Sequence, residues 1–543
     1  MTELRKLPIG YQTFEDVRTD GAIYVDKTGY LPGLENNGKV VFCARPRRFG
    51  KSLTVSALDA FHSGRKDLFG GLTAGAALDS PAFRPRPVVR LDMSAVTPEL
   101  GLDVMLARLR DILASNAERH GLAMPDGDPV AAFVKLIASV RKAKGEKAVL
   151  LVDEYDAPVI DSLGKPEVDA VREIMRSFYK QIKVVNEHLH FAFITGVSKF
   201  TRMGVFSSLN NITDISLEPE YAAFMGITHE ELAANFGPHI GAAAGKLGMT
   251  PDDLLEKIRD YYDGFSFDGK TRLYNPFSTL LFLQKAEFLN YWMESGSNTV
   301  IRNFLKDKKL TVDEFRGMPV SRASLFDPGP IESATPELFL YQAGYLSLRQ
   351  NENGIFSLDY PNFETLSSFS SFMVRNTFRN DTAADSSMTL FLNAFLNRDA
   401  EGMIAEIKRN YAAQSYQDHD ASEKKGYGED FYRSSLLSYL HGAGVMAVPE
   451  LQGSHGRADI AAWRDGRTMI IELKMADSPA DAEKAADDGM AQIRDRDYGG
   501  RFVSPLLLSI AIDKSARQVA AWKARRVPPA QHAGDDEDRG PNP

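Results

Sequence analysis

Short apolar runs alternate with helix-spaced apolar positions over residues 1–230. Val40–Ala44 reads as a β-strand, followed by Gly50 and a helical stretch, Leu53–His62. Pro87–Asp92 reads as a second strand, and residues 98–120 and 129–144 space their apolar positions as helices do. Ala148–Val152 is wholly apolar, the pattern of a strand buried on both faces. Val168–Glu187 is helical by its spacing, and His190–Thr195 is a fourth strand. Strands separated by helices require crossover connections, which predicts an α/β fold with a parallel sheet.

The pattern changes over residues 231–385, which read as mostly helical with turns at Asp263-Gly264 and Asn275-Pro276. Leu338–Leu348 followed by Ile355–Leu358 suggests a helix, a turn and a small β-wing, the layout of a winged helix. Residues 368–386 are rich in Ser, Thr and Asn and read as a linker. A further domain is expected over 386–526, with helices and then strands at Val445–Pro449, Asp459–Ala462, Met469–Leu473 and Leu506–Ala511. Residues 527–543 are an acidic, Pro/Gly-rich tail expected to be disordered.

A chain of 543 residues is too long for one core, which agrees with these divisions. With 43% hydrophobic and 25% charged residues, the composition is that of globular protein. No apolar stretch approaches the ~20 residues of a membrane span. Met1–Gly10 lacks an apolar signal core, so a cytoplasmic protein without membrane partners is expected. The single cysteine, Cys43, excludes an internal disulfide and a thiolate metal cluster, and its apolar neighbours make it a buried strand residue. The net charge of −9 means that any nucleic acid must be held by a local basic groove.

Two segments carry chemistry. In Arg45-Pro46-Arg47-Arg48-Phe49-Gly50-Lys51-Ser52, the Gly-Lys-Ser follows a strand and opens a helix. That context suits a phosphate-binding loop, with backbone N–H groups around the phosphates, Lys51 at the terminal phosphates and the Ser52 hydroxyl on Mg²⁺. The usual first Gly is replaced by Arg45; Arg45, Arg47, Arg48 and Lys51 all suit polyphosphate. Asp153-Glu154 ends the third strand, where Asp153 is placed to hold Mg²⁺ and Glu154 to polarise the attacking water. Thr195, Ser198 and Lys199 stand where a γ-phosphate sensor is expected. Arg202 is either a transition-state cation, in cis or from a neighbouring subunit of a homo-oligomer, or a plain surface arginine.

The second segment is Asp459 followed by Glu472-Leu473-Lys474, two strands with Asp465-Gly466 as the hairpin tip. Strand alternation puts Glu472 and Lys474 on one face, within reach of Asp459 on the neighbouring strand. Carboxylates converging on a divalent metal, with a basic group near the attacking water, are what metal-assisted phosphodiester cleavage needs. Glu429 (or its neighbour Asp430) could complete the shell, the Leu473 carbonyl could be a further ligand, Gln492 and Tyr498 could position the scissile phosphate, and Arg457 could neutralise it.

These residues resemble those of a bacterial family of predicted AAA-ATPase-like proteins with a C-terminal PD-(D/E)XK nuclease-superfamily domain. The resemblance extends to Leu7–Gly10, Phe14, Tyr24–Thr28, Val152–Pro158, Tyr262–Phe265, Tyr274–Ser278, Gly344–Leu346, Tyr360–Asn362 and Glu364. It implies that the missing first Gly of the loop is a family feature. It also implies an AAA/RecA-like P-loop NTPase sheet, a winged-helix-like middle region and a restriction-endonuclease-like α/β domain. The nucleotide ligands would be Arg47, Arg48, Phe49, Gly50, Lys51, Ser52, Asp153, Thr195 and Ser198. The nuclease residues would be Glu429, Asp459, Glu472, Lys474 and Gln492, with Asp459 and Glu472 on the metal.

The expected activity is ATP hydrolysis that gates a Mg²⁺- or Mn²⁺-dependent nuclease acting on nucleic acid, DNA above all, in a setting such as defence against foreign DNA. The alternative is a nucleotide switch that binds DNA or a protein through a catalytically silent nuclease fold.

Overall fold

The computed structural model describes residues 4–197, 199, 211–292, 311–326, 334–415, 428–453, 456–495, 502 and 504–528. Ser198, Arg202, Tyr498 and the acidic residues of the tail lie outside the described residues. The chain divides into two compact units, Met1–Lys308 with Phe315–Thr365, and Lys309–Glu314 with Leu366–Pro543.

The first unit is built on five parallel strands: β1 (Val40–Ala44), β2 (Val88–Asp92), β3 (Ala148–Asp153), β4 (Leu189–Gly196) and β5 (Ile212–Asp214). Their order is β2-β3-β4-β1-β5. Alternate residues feed opposite faces. Val40, Phe42, Leu150 and Val152 pack with the helices Leu102–Arg119, Pro129–Lys144 and Val168–Val184. Val41, Cys43, Val149 and Leu151 pack with helix α1 (Lys51–His62). Each aliphatic side chain buried this fully contributes about 1.5–3 kcal/mol, so the loop leaving β1 starts from a rigid base. The expected parallel sheet is present, with β5 as an additional short strand.

His62, the last residue of α1, is buried beside Glu35, with its Nδ1 3.6 Å from the carboxylate and Nε2 without a partner among the described residues. Burial holds its imidazole down at about 4, against the opposing pull of Glu35; His190 and Arg86 add to the depression and Asp59 opposes it. A depressed histidine favours folding above its unfolded pKa near 6.5, and that contribution is lost as pH falls toward 4. The first unit should therefore lose about 3 kcal/mol over this window. Urea unfolding monitored at pH 7, 5.5 and 4 checks this, and His62→Phe should flatten that part of the dependence.

Beyond the sheet, α2 (His229–Leu247) begins with a reciprocal cap: Glu231 N–H donates to Thr228 Oγ1, and Thr228 N–H donates to the Glu231 carboxylate. Helix α3 (Pro276–Lys285) is capped by Asn275, whose Oδ1 accepts from the N–H groups of Phe277 and Ser278. Helix α4 (Pro336–Ala343) ends at Gly344 with φ 87°. A Cβ there would lie 2.9 Å from the Pro46 side chain, so only glycine lets this helix end approach the loop after β1. The expected helix and β-wing are seen as α4 followed by the hairpin of β7 (Ser347–Gln350) and β8 (Phe356–Asp359), and the short β6 (Met318–Pro319) pairs with β8.

The linker expected at 368–386 is a correction. This stretch lies in two helices, α5 (Phe363–Phe378) and α6 (Asp381–Asn397), separated by Arg379 at φ 53° and by Asn380, which caps Ala383. Ser368 and Ser370 are buried within the stretch, and Ser367 and Ser387 are buried on either side. Ser387 shares hydrogen bonds with Glu406 and Tyr439, each 2.7 Å. Small hydroxyl side chains are accommodated here as close-packing core residues, and tertiary burial overrides their loop preference.

The sheet of the second unit comprises β9 (Met446–Gly453), β10 (Gly456–Arg464), β11 (Arg467–Ala476), β12 (Leu506–Asp513) and β13 (Gln518–Arg526), in the order β13-β12-β11-β10-β9. Only β11 and β12 are parallel. The β10–β11 tip is Asp465 (φ 46°) and Gly466 (φ 72°), the left-handed pair of a tight hairpin turn. Helix α7 (Glu429–Gly442) contributes to the core on one face of the sheet, and α8 (Pro479–Asp495) to that on the other. Among the described residues no helix is long and apolar enough to cross a membrane.

Candidate functional sites

The loop from β1 to α1 lies at the C-terminal edge of the parallel strands, where open α/β sheets place their ligands. Arg48 (φ 70°) and Gly50 (φ 84°) are both left-handed, which turns successive N–H groups toward one side. Among the described residues no side chain caps the N-terminus of α1, which leaves its first N–H groups and the positive end of its dipole for an anion. A non-glycine residue held at positive φ carries strain of roughly 1–3 kcal/mol, and such strain gathers at functional sites. Glu154 has φ 49° in the same cleft.

Lys51 is buried, with Nζ 3.3 Å from Glu154 Oε1 and 3.4 Å from the Pro46 carbonyl. Asp153 is also buried. One of its oxygens accepts from the Glu154 N–H at 3.0 Å, and Ser52 donates to the carboxylate. The other, Oδ2, has no partner among the described residues. Burial pushes the Asp153 carboxyl up, and the Ser52 hydrogen bond opposes this. An orphaned carboxylate oxygen next to a serine hydroxyl fits the ligand set of a hard divalent cation.

Four loop-site expectations are revised. Arg45 does not face a phosphate: it is fully buried, donates to the carbonyls of Ala44, Ser216 and Tyr221, and stacks 4.0 Å over Phe267. Phe49 contributes only backbone, since its ring is buried edge-on against Phe265 and Phe267. Thr195 is fully buried and donates to the Cys43 carbonyl at 2.7 Å, so its hydroxyl ties β4 to β1 instead of sensing phosphate. Lys199 is likewise internal, 3.0 Å from Asp214.

A cavity of about 540 Å³ extends from this loop, within the range of small-molecule sites. Its loop end is Arg47–Ser52 with Glu154. The rest of its lining mixes apolar side chains, Ile9, Ile23, Val25, Phe224, Met225 and Phe236 among them, with polar ones such as Gln12, Lys27 and Asp161. Sequence reading missed this part of the lining. Its only signal was the family-like segments Leu7–Gly10 and Tyr24–Thr28, which carried no role by themselves.

The second site lies on β10 and β11. Ala458 and Ala461 pack into one core while Ile460 and Ala462 pack into the other, so alternation breaks at Asp459. Opposite, Glu450 has φ 51°. The β10–β11 ladder stops at Ile460–Ile471, and the Leu473 N–H donates to Asp459 Oδ2 at 2.7 Å. This irregularity brings Asp459 onto the Glu472 side. Glu472 is 1% exposed; its Oε1 accepts from Lys474 Nζ at 2.9 Å and from Gln492 on α8, and its Oε2 has no partner among the described residues. Burial, then the neighbouring Asp459, pushes the Glu472 carboxyl up to about 7. Glu429 at the start of α7 is raised by the same two causes. Asp430 is exposed and pairs with Arg433 at 2.7 Å, which leaves Glu429 as the carboxylate facing the site. Arg457 is exposed and paired with Glu450 at 2.6 Å.

Carboxylates that destabilise one another's charge, one with a buried orphan oxygen, suit a cation. Among the described residues, however, no group of three His, Cys, Asp or Glu side chains is arranged to hold one. The shell would have to combine Asp459 and Glu472 with backbone oxygen and water. At Gly489 on α8 a Cβ would lie 2.3 Å from Ser509 Oγ and 3.2 Å from Lys474 Cγ, so this glycine lets α8 close over the site.

Comparison with known proteins agrees with both halves. Residues 8–206 match the predicted AAA-ATPase family model, and residues 427–522 match the PD-(D/E)XK nuclease superfamily. An uncharacterized protein in the vnfD 5' region of Azotobacter chroococcum is 30% identical over 533 residues, covering 95% of this chain and 98% of that one. The chain belongs to the predicted AAA-ATPase family and carries a C-terminal PD-(D/E)XK nuclease-superfamily domain.

Proposed function

We propose that the chain hydrolyses ATP and uses nucleotide occupancy to control metal-dependent cleavage of nucleic acid, with DNA as substrate. The observation that carries this reading is the pair of buried carboxylate oxygens without protein partners among the described residues, Asp153 Oδ2 beside the phosphate loop and Glu472 Oε2 beside Lys474. Mg²⁺ at Ser52 and Asp153, and Mg²⁺ or Mn²⁺ at Asp459 and Glu472, would supply Lewis acidity and neutralise phosphate charge. The loop N–H groups bind the phosphates, and Lys51 exchanges Glu154 for the terminal phosphate. Glu154, released from Lys51, accepts the proton of the attacking water. In the second unit Lys474 orients the nucleophile and Gln492 fixes the Glu472 carboxylate. Cytoplasmic action against foreign DNA is the proposed setting.

A nucleotide switch with a silent nuclease fold is the second reading, favoured because among the described residues Glu429, Asp459 and Glu472 are not grouped as a three-carboxylate metal site. The intact Asp459, Glu472 and Lys474 set favours the first. Control by nucleotide is tested by hydrogen exchange. ATP with Mg²⁺ should change protection at residues 428–495 in wild type and leave it unchanged in Lys51→Ala. No change in wild type would remove the gating.

A further inference from the structure

Of the four cations in the phosphate loop, three are already committed. Arg45 is buried among carbonyls, Lys51 pairs with Glu154, and Arg48 stacks 4.2 Å over the Phe277 ring. Arg47 is exposed, lines the nucleotide cavity, and its guanidinium has no hydrogen bond or ion pair among the described residues. Its backbone is nonetheless fixed. The Arg47 carbonyl accepts from Asn275 Nδ2 at 3.4 Å, and Asn275 is fully buried where it caps α3. Asn275-Pro276-Phe277 therefore holds the loop at two adjacent points, by Asn275 on the Arg47 carbonyl and by Phe277 under Arg48. This gives the Tyr274–Ser278 segment a role that the nucleotide site alone did not assign.

The geometry points to Arg47 as the catalytic arginine of ATP hydrolysis, supplied in cis by the phosphate loop and steadied by the Asn275-Pro276-Phe277 turn. Charge grows on the transferred phosphoryl group and the leaving oxygen in the transition state, and an arginine that meets it there lowers the barrier without tightening ground-state binding. The bond broken is that between the γ-phosphorus and the β–γ bridging oxygen, and the bond formed joins water oxygen to that phosphorus. Glu154 takes the water proton, ADP leaves with the bridging oxygen, and Arg47 exchanges no proton. The assignment rests on the proposed ATPase reading. It also makes each chain self-sufficient, because no neighbouring subunit has to supply the cation.

Steady-state ATP hydrolysis and binding of a fluorescent ATP analogue, measured on the full chain with Mg²⁺, test this. Arg47→Ala should lower kcat by about 10³-fold or more with nucleotide affinity nearly unchanged, and Arg47→Lys should restore part of the loss. Mixing Arg47→Ala with Lys51→Ala should restore nothing, and the wild-type rate per chain should not vary with concentration. Unchanged kcat in Arg47→Ala, or a loss confined to binding, would overturn the assignment, and restored activity in the mixture would move the arginine to a neighbouring subunit. Wild type that binds the analogue yet hydrolyses no ATP would also overturn it while leaving the nucleotide site standing; wild type that binds none would remove the site itself.

Discussion

Glu472→Gln should cut the proposed metal-dependent cleavage sharply while stabilising the second unit in chelator. Glu472 sits 1% exposed on β11 with Lys474 and Gln492 sharing one oxygen and the other oxygen unmatched, beside a second carboxylate, Asp459. Without a cation this arrangement is costly, because a buried acceptor lacking a partner costs about 1–3 kcal/mol and more when charged. Removing the charge keeps the shape and relieves the repulsion, so the melting transition of the second unit in EDTA should rise. Metal-assisted stabilisation of a developing phosphorane is worth several kcal/mol, so cleavage should fall by ~10³-fold or more. A stability gain paired with a loss of activity is the mark of a residue kept for chemistry. If Glu472→Gln cleaved like wild type, Glu472 would be a structural acid.

Lys51→Ala should remove hydrolysis with little change in fold. Lys51 Nζ stands between Glu154 and the Pro46 carbonyl at the start of α1, so its position is set before a phosphate arrives. Deleting one preorganised donor to a phosphoryl group costs about 10²–10³ in kcat. Truncation also frees Glu154, whose carboxylate then faces the bound phosphates and weakens their binding. ATP should raise the melting temperature of the first unit in wild type by mass action and leave that of Lys51→Ala almost unmoved. Equal shifts in both would place the nucleotide elsewhere.

The sheet strands β1 to β4 were legible because burial on both faces demands unbroken apolar runs, and Val40–Ala44 and Ala148–Val152 are such runs. The three-residue β5 carries too little pattern to detect. Residues 368–386 misled because serine composition speaks for turns, and only packing makes Ser368 and Ser370 core residues. Arg45 misled for the converse reason: nothing local announces an arginine satisfied by the carbonyls of Ser216 and Tyr221. In the second unit's site, period-two alternation correctly joined Glu472 to Lys474. That Asp459 reaches them through a break in its own strand pairing, accepting from the Leu473 N–H, was not visible. The far end of the cavity beside the loop joins Pro8–Gln12 to Phe224–Ile227, residues more than two hundred positions apart, and such convergence exists only in the fold.

Whether the two proposed sites are both live and coupled is decided by cleavage of plasmid and single-stranded DNA in Mg²⁺ or Mn²⁺, with and without ATP, by wild type, Lys51→Ala and Glu472→Ala. Cleavage by wild type that is lost in Glu472→Ala and altered in its response to ATP in Lys51→Ala is the predicted result. No cleavage by wild type under any of these conditions, alongside ATP hydrolysis lost only in Lys51→Ala, would contradict it and leave a nucleotide switch whose C-terminal domain serves recognition.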